Sequence, residues 1–221
     1  MSKVLIVGCS YVTLLSKMFN NVVVDGSPGS GNRAIAARVM YQLATNTYDR
    51  VVVLWSGINR LDLPIGLELH NTLPKYLQFF CLTGNTVWHH SGGLLGCWTD
   101  STLPKILKSY FYNQYCVADA QYLTDNTLTN VIAVQSLLEA KQIPYTMSFI
   151  YDLHSLTNTE QSLGLIDTNT PLYNLVDWSK FEQNTPYEWC QKHGSLQEDQ
   201  FHPTTESMNE WATLHLKLPK I

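Results

Sequence analysis

Two short strings at opposite ends of the chain carry residue types suited to acyl-transfer chemistry. Gly8-Cys9-Ser10 follows the apolar run Val4 to Val7, and a glycine there lets the backbone turn sharply and leaves a serine hydroxyl at the end of a strand. Asp199-Gln200-Phe201-His202-Pro203 sets a carboxylate three residues before a histidine, so that the acid can orient the imidazole and stabilise its protonated form. Each string alone is ambiguous. A serine after a strand is more often a helix N-cap, and an Asp-x-x-His string also arises by chance. Taken together they define a candidate set: Ser10 as nucleophile, His202 as general base and Asp199 as its orienting acid. Cys9 offers a rival thiol nucleophile, but a cysteine beside a buried strand is usually a small core hydrophobe, and Ser10 is preferred.

Two further strings supply groups for an oxyanion. Gly26-Ser27-Pro28-Gly29-Ser30-Gly31-Asn32 follows the second apolar run and opens a helix, which presents backbone N–H groups without side-chain obstruction. It lacks the Lys-Ser/Thr ending of a P-loop and the GxGxxG spacing of a dinucleotide fold. Trp55-Ser56-Gly57-Ile58-Asn59-Arg60 follows the third run, and the Asn59 side chain can donate to the same place. Together the Gly26–Asn32 loop and Asn59 describe a candidate oxyanion hole. Around them, Trp55, Arg60, Trp88, His89 and His90 are candidate substrate contacts, Arg60 either toward a carboxylate or paired with Asp62. His89 and His90 have no carboxylate at ligand spacing, and no metal or organic cofactor is expected. Asp152 and His154 either touch substrate or end a strand, the second being the commoner use. Trp178, Phe181, Tyr187 and Trp189 are read as packing for the acid-base loop, with an aromatic rim for a sugar ring as the alternative.

The elements that must position these groups follow from hydrophobic pattern. Lys3 to Gly8, Asn21 to Val24, Arg50 to Trp55 and Tyr145 to Tyr151 read as buried strands, with Leu172 to Val176 as a fifth. Helical spacing runs over Arg33 to Leu43, Asp119 to Lys141 and Thr204 to Leu216, the last with Met208, Trp211, Ala212 and His215 on one stripe. Alternating strands and helices predict an α/β protein, a three-layer α/β/α sandwich with a mostly parallel, flavodoxin-like five-stranded sheet. Ligands of such sheets sit beyond the carboxyl ends of the strands. A single domain over residues 1–221 is expected, with a variable substrate or lid segment around 61–118, and Thr83 to Asp100 reads as a loop.

Bulk properties exclude several classes. A net charge of -4 and no basic run argue against nucleic acid as a partner. The five cysteines form no CxxC pair, against both a disulfide framework and a zinc site, so a cytoplasmic setting is the default. Lys3 and the following VLIVGC mimic a lipoprotein cleavage box, but the apolar run is shorter than the roughly 7–15 residues of a signal h-region. No run reaches the ~20 apolar residues of a membrane span, and no membrane partner is expected.

In order and spacing, GCS at Ser10, SPGSGN around Gly29, GIN at Asn59 and DQFHP at Asp199 and His202 resemble the marker blocks of the SGNH (GDSL-like) hydrolase superfamily. The resemblance implies Ser10 as nucleophile, the Ser10 amide, Gly29 and Asn59 as oxyanion donors, and Asp199 with His202 as the acid-base pair. It brackets nearly the whole chain, while Leu61 to Leu196 matches by architecture only. The family usually has Asp before the nucleophile where this chain has Cys9. The implied activity is ester hydrolysis or deacylation, first on O-acyl groups of carbohydrate and then on other small esters; transfer to an acceptor other than water would use the same residues. The rival expectations are a catalytically inactive SGNH-fold module that binds glycans or serves assembly, and a nucleotide-binding protein holding phosphate at the Gly26–Asn32 loop.

Overall fold

The computed structural model describes residues 2–15, 19–66, 80–83, 86–90, 109, 120–154 and 165–218. Strand β1 (Val4–Gly8) is buried along its whole length, as an unbroken apolar run with helices on both sides requires. It leads into the short helix α1 (Ser10–Thr13). Parallel to β1 lie β2 (Val22–Gly26) on one side and β3 (Arg50–Trp55) on the other, with Gly8 level with Gly26 and Leu54. The chain returns between them through α2 (Asn32–Thr45), which buries Ile35, Val39 and Leu43 one turn apart.

After β3 the strands β4 (Asp62–Gly66), β5 (Phe80–Thr83) and β6 (Thr86–His90) form a separate antiparallel sheet with β6 in the middle. Helix α3 (Ala120–Ala140) then leads to β7 (Tyr145–Phe149), which pairs parallel with β3. The parallel sheet, in the described residues, has four strands in the order β2-β1-β3-β7. Helices α4 (Pro186–His193) and α5 (Thr205–His215) close the chain.

Strand geometry divides the core. Alternate residues point to opposite faces, so Leu5, Val7, Val51 and Val53 join α2 and α3 in one apolar cluster, while Val4, Ile6, Val52 and Leu54 join α1, α4 and α5 in another. Both faces of the parallel sheet are thereby covered. The α/β alternation expected from the sequence is present, and its helices fall over the predicted ranges.

Two expectations are corrected. The segment expected as a fifth strand, Leu172 to Val176, is instead a 3₁₀ turn over Pro171–Leu175 that buries none of its residues. Pro171 opens it with a fixed φ suited to a helical start, and Leu175 is exposed. The edge of β7 is met further on, by an isolated parallel bridge between Met147 and Phe181 and by the Glu182 amide donating to the Met147 carbonyl at 2.8 Å. The segment expected as a loop, Thr83 to Asp100, includes strand β6 over its Thr86–His90 portion, and 91–100 lies outside the described residues. A five-residue strand whose partners are Asp62–Gly66 and Phe80–Thr83 is too short to announce itself by periodicity.

Candidate active site

The sheet order decides which loops are neighbours. Because β1 lies between β2 and β3, the loop carrying Ser10 is flanked at the carboxyl edge by the loops carrying Gly29 and Asn59. Ser10 is the first residue of α1, and the N-cap position falls on Cys9, whose side chain makes no cap. The half-buried Ser10 hydroxyl is instead 2.8 Å from Nε2 of His202, a contact that spans 192 positions of sequence. On the other side of the ring, Nδ1 of His202 lies 2.6 Å from Oδ2 of Asp199. With the ring proton on Nδ1, the hydroxyl donates to Nε2 and the imidazole donates to the carboxylate.

The loop that presents His202 is held by its own backbone. Leu196 and Pro203 bridge antiparallel, the Gln197 amide donates to the His202 carbonyl at 2.7 Å, and Gln200 takes a left-handed φ of 60°. Oδ1 of Asp199 accepts the amides of Phe201 and His202, both at 2.9 Å. Partial burial raises the Asp199 pKa, but the amide and ring hydrogen bonds from His202, the amide of Phe201 and the nearby imidazole outweigh it and hold the carboxyl down to about 2. One carboxylate therefore shapes the loop with one oxygen and orients the imidazole with the other.

Tyr11, which the sequence reading did not single out, ties this loop to the nucleophile. Its hydroxyl donates to the Phe201 carbonyl, and its ring centroid lies 5.6 Å from that of His202. Burial pushes the Tyr11 hydroxyl far above the usual tyrosine range, so it stays a donor. The only local hint was an aromatic directly after Ser10.

The Gly-rich loop turns at Gly29, whose φ of 75° suits glycine, and the turn is closed by the Ser30 amide and hydroxyl, both donating to the Ser27 carbonyl. Two buried side chains anchor it. Asp62, at the start of β4, accepts the amides of Gly31 and Ala34 at 2.8 Å each and so satisfies the first turn of α2 from another strand. Asn32 exchanges hydrogen bonds with Ser56, its Oδ1 accepting the Ser56 amide at 2.8 Å and its Nδ2 donating to the Ser56 carbonyl at 3.2 Å. The Gly29 loop and the Asn59 loop are thus fixed to each other. Beneath them, the buried Arg38 donates to the Gly8 carbonyl at 2.7 Å and to the carbonyl and carboxylate of Asp25, joining the ends of β1 and β2.

Asn59 is half-buried in a turn that begins at Gly57, where the Arg60 amide donates to the Gly57 carbonyl at 3.4 Å. A Cβ at Gly57 would fall 1.7 Å from the hydroxyl of Tyr151, so a larger residue there would have to displace that ring. Arg60 is also half-buried, with Nη1 enclosed and without a hydrogen-bond partner among the described residues. Its charge acts on both Tyr11 and Tyr151, opposing the burial that raises their pKa values.

The remaining candidate contacts separate. Trp55 has no exposed surface, belongs to the core cluster and donates Nε1 to the Met147 sulfur at 3.3 Å, so it is core and not a substrate contact. Its place near the end of a parallel strand covered on both sides leaves it no route to solvent. Trp88 is buried on β6 with the Arg33 guanidinium 5.7 Å from its ring centroid, and it too is withdrawn from the surface. His89 and His90 lie on β6, level with Leu63 and Asp62, and their side chains fall outside the described residues. Among the described residues, no three His, Cys, Asp or Glu side chains gather as a metal-ion site, and no helix is long and apolar enough to cross a membrane.

No protein-family model and no curated protein matches this chain.

Proposed function

We propose that this chain is a serine ester hydrolase of the SGNH kind, acting on O-acyl groups of carbohydrate or another small ester through an acyl-enzyme. The observation that carries the reading is the continuous contact from Ser10 Oγ to His202 Nε2, at 2.8 Å, and from His202 Nδ1 to Asp199 Oδ2, at 2.6 Å. Nucleophile and base stand within hydrogen-bond reach and a third group orients the base, which is the geometry that activates a hydroxyl. The helical cover on both faces and the strand order β2-β1-β3-β7 fit the three-layer, flavodoxin-like arrangement of that superfamily.

In this reading Ser10 Oγ attacks the ester carbonyl carbon while its proton passes to His202 Nε2. The tetrahedral oxyanion is received by the amides of Ser10 and Gly29 and the side chain of Asn59. As the intermediate collapses, the C–O bond to the alcohol breaks and His202 returns the proton to that leaving oxygen. Water then attacks the acyl-Ser10 ester with His202 again taking the proton; the bond from the acyl carbon to Ser10 Oγ breaks, His202 returns the proton to that oxygen, and the acid leaves. Asp199 stabilises the imidazolium in both halves.

Labelling with a fluorophosphonate, mapped by mass spectrometry, is expected to modify Ser10. Ser10→Ala is expected to lower p-nitrophenyl acetate hydrolysis by a factor on the order of 10⁴ or more while leaving the circular dichroism spectrum unchanged. Equal rates in variant and parent would overturn the proposal and favour a glycan-binding module without catalysis.

A further inference from the structure

Beyond the carboxyl end of β7 lies an open cleft of about 490 Å³, a volume that includes open solvent at its mouth, with Tyr151, Asp152, His154, Tyr173, Trp178 and Glu182 among its lining. One wall is a run of rings. Tyr173 and Trp178 lie 4.6 Å apart between centroids, and Trp178 and Phe181 4.9 Å apart. Phe181 in turn stacks on Phe149 at 5.4 Å. The wall is held from behind, since Trp178 and Phe181 pack against the core cluster and Trp178 Nε1 donates to the Tyr173 carbonyl at 2.9 Å. Such a surface is rigid before any ligand arrives.

The rim is polar and open. His154 Nε2 lies 3.1 Å from the Tyr173 hydroxyl, and Nδ1 lies 3.5 Å from Asp152 Oδ1. The side chains of His154 and Asp152 are 43% and 39% exposed, which leaves lone pairs and protons for a ligand. Asp152 and Glu182 line the cleft, and among the described residues no lysine or arginine does. Tilted aromatic rings beneath hydrogen-bonding groups, with no lysine or arginine among the described lining, match a neutral sugar ring: its C–H face lies on an aromatic face and its hydroxyls reach the rim. An anionic ring would meet the carboxylates of Asp152 and Glu182, which lie against the imidazoles of His154 and His215 at 3.5 and 3.3 Å and face no lysine or arginine among the described lining.

The cleft adjoins the candidate active site. Tyr151 lines it, and the Tyr151 hydroxyl packs where a Cβ on Gly57 would stand, at the start of the turn that carries Asn59. β7 is two strand spacings from β1, about 10 Å, so the cleft and Ser10 are carried at the same edge of one sheet. We infer that this cleft seats a neutral sugar ring, the alcohol part of the ester that Ser10 attacks, an inference that rests on the esterase reading for its second half.

The test uses binding and turnover separately. Ser10→Ala protein is passed over immobilised xylohexaose, mannohexaose and chitohexaose, each free and chemically O-acetylated, with galacturonate hexamers as the acidic counterpart. The expected result is retention on at least one neutral series, weakened tenfold or more when His154→Ala and Asp152→Ala are added together. Both side chains are exposed, so the fold tolerates the change, and Trp178→Phe, which keeps a ring on the wall, should lose less than the double variant. Retention on none of the neutral series, on galacturonate alone, or undiminished by the double variant overturns the seat. With Ser10 restored, the double variant should lose at least tenfold more kcat/KM on the retained acetylated oligosaccharide than on p-nitrophenyl acetate; equal losses overturn the substrate assignment. If the parent binds the sugar but hydrolyses neither ester, the esterase reading fails while the sugar seat stands.

Discussion

At the scale of single residues, Asp199 has two duties that titrate together. Its pKa is held at about 2 against an ordinary 3.8, so the carboxylate stays charged over the whole working range. A depressed pKa in the folded state means that its contribution to stability is fully present above the unfolded value and is lost as pH falls from about 4 toward 2. Asp199→Asn is therefore expected to destabilise the protein at pH 7, with the difference from the parent shrinking as the pH falls through that window, read from thermal midpoints. The acid limb of the parent's pH–rate profile belongs to a group other than Asp199. The residues at both ends of this contact were legible in the sequence, because a serine after a strand and an acid three places before a histidine are local patterns. Tyr11 was not, since nothing near it names the Phe201 carbonyl 190 positions away as its acceptor.

Among the elements, the loops after β2 and β3 are shaped less by their own glycines than by partners from elsewhere. Asp62 is 6% exposed and accepts two amides of the first turn of α2 from the start of β4. Asp62→Ala leaves those N–H groups buried and unpaired, which is expected to cost about 1–3 kcal/mol in urea unfolding. The same variant should lower kcat on p-nitrophenyl acetate, because the Gly29 turn sits directly before that helix. Asp62→Asn, which keeps one acceptor, should fall between. The sequence reading considered Asp62 only as a partner for Arg60, and the capping role emerges from the packing of β4 against α2. Strands and helices with long uniform patterns fall within about two residues of their expected ends, as Tyr145–Phe149 does for the expected Tyr145 to Tyr151. Two short segments were misread, Pro171–Leu175 and Thr86–His90, and other short elements, Asp62–Gly66, Phe80–Thr83 and Pro186–His193, were not foreseen, because a few residues are compatible with strand, turn or loop and the neighbouring chain decides.

For the molecule as a whole, the candidate site is a seam between the two ends of the chain, so its integrity depends on packing far from Ser10. Trp211 on α5 has no exposed surface and donates Nε1 to the Asn184 carbonyl at 2.6 Å. Trp211→Ala is expected to cost about 3–5 kcal/mol by cavity formation. Activity should fall in parallel although the indole does not touch the reacting groups, because α5 follows the His202 loop directly; urea midpoints and ester hydrolysis on the same samples check both. What the amino-acid sequence determined by itself was the inventory of reactive groups, the buried strands and the helices that alternate with them, since backbone periodicity and residue type act over a few positions. Only the tertiary structure decided that Trp55 and Trp88 belong to the interior, that Pro171–Leu175 turns while Phe181 makes an isolated bridge to β7, and that Ser10 and His202 meet. Those outcomes depend on which surfaces exclude water from one another across the folded chain, a property that no short stretch of residues contains.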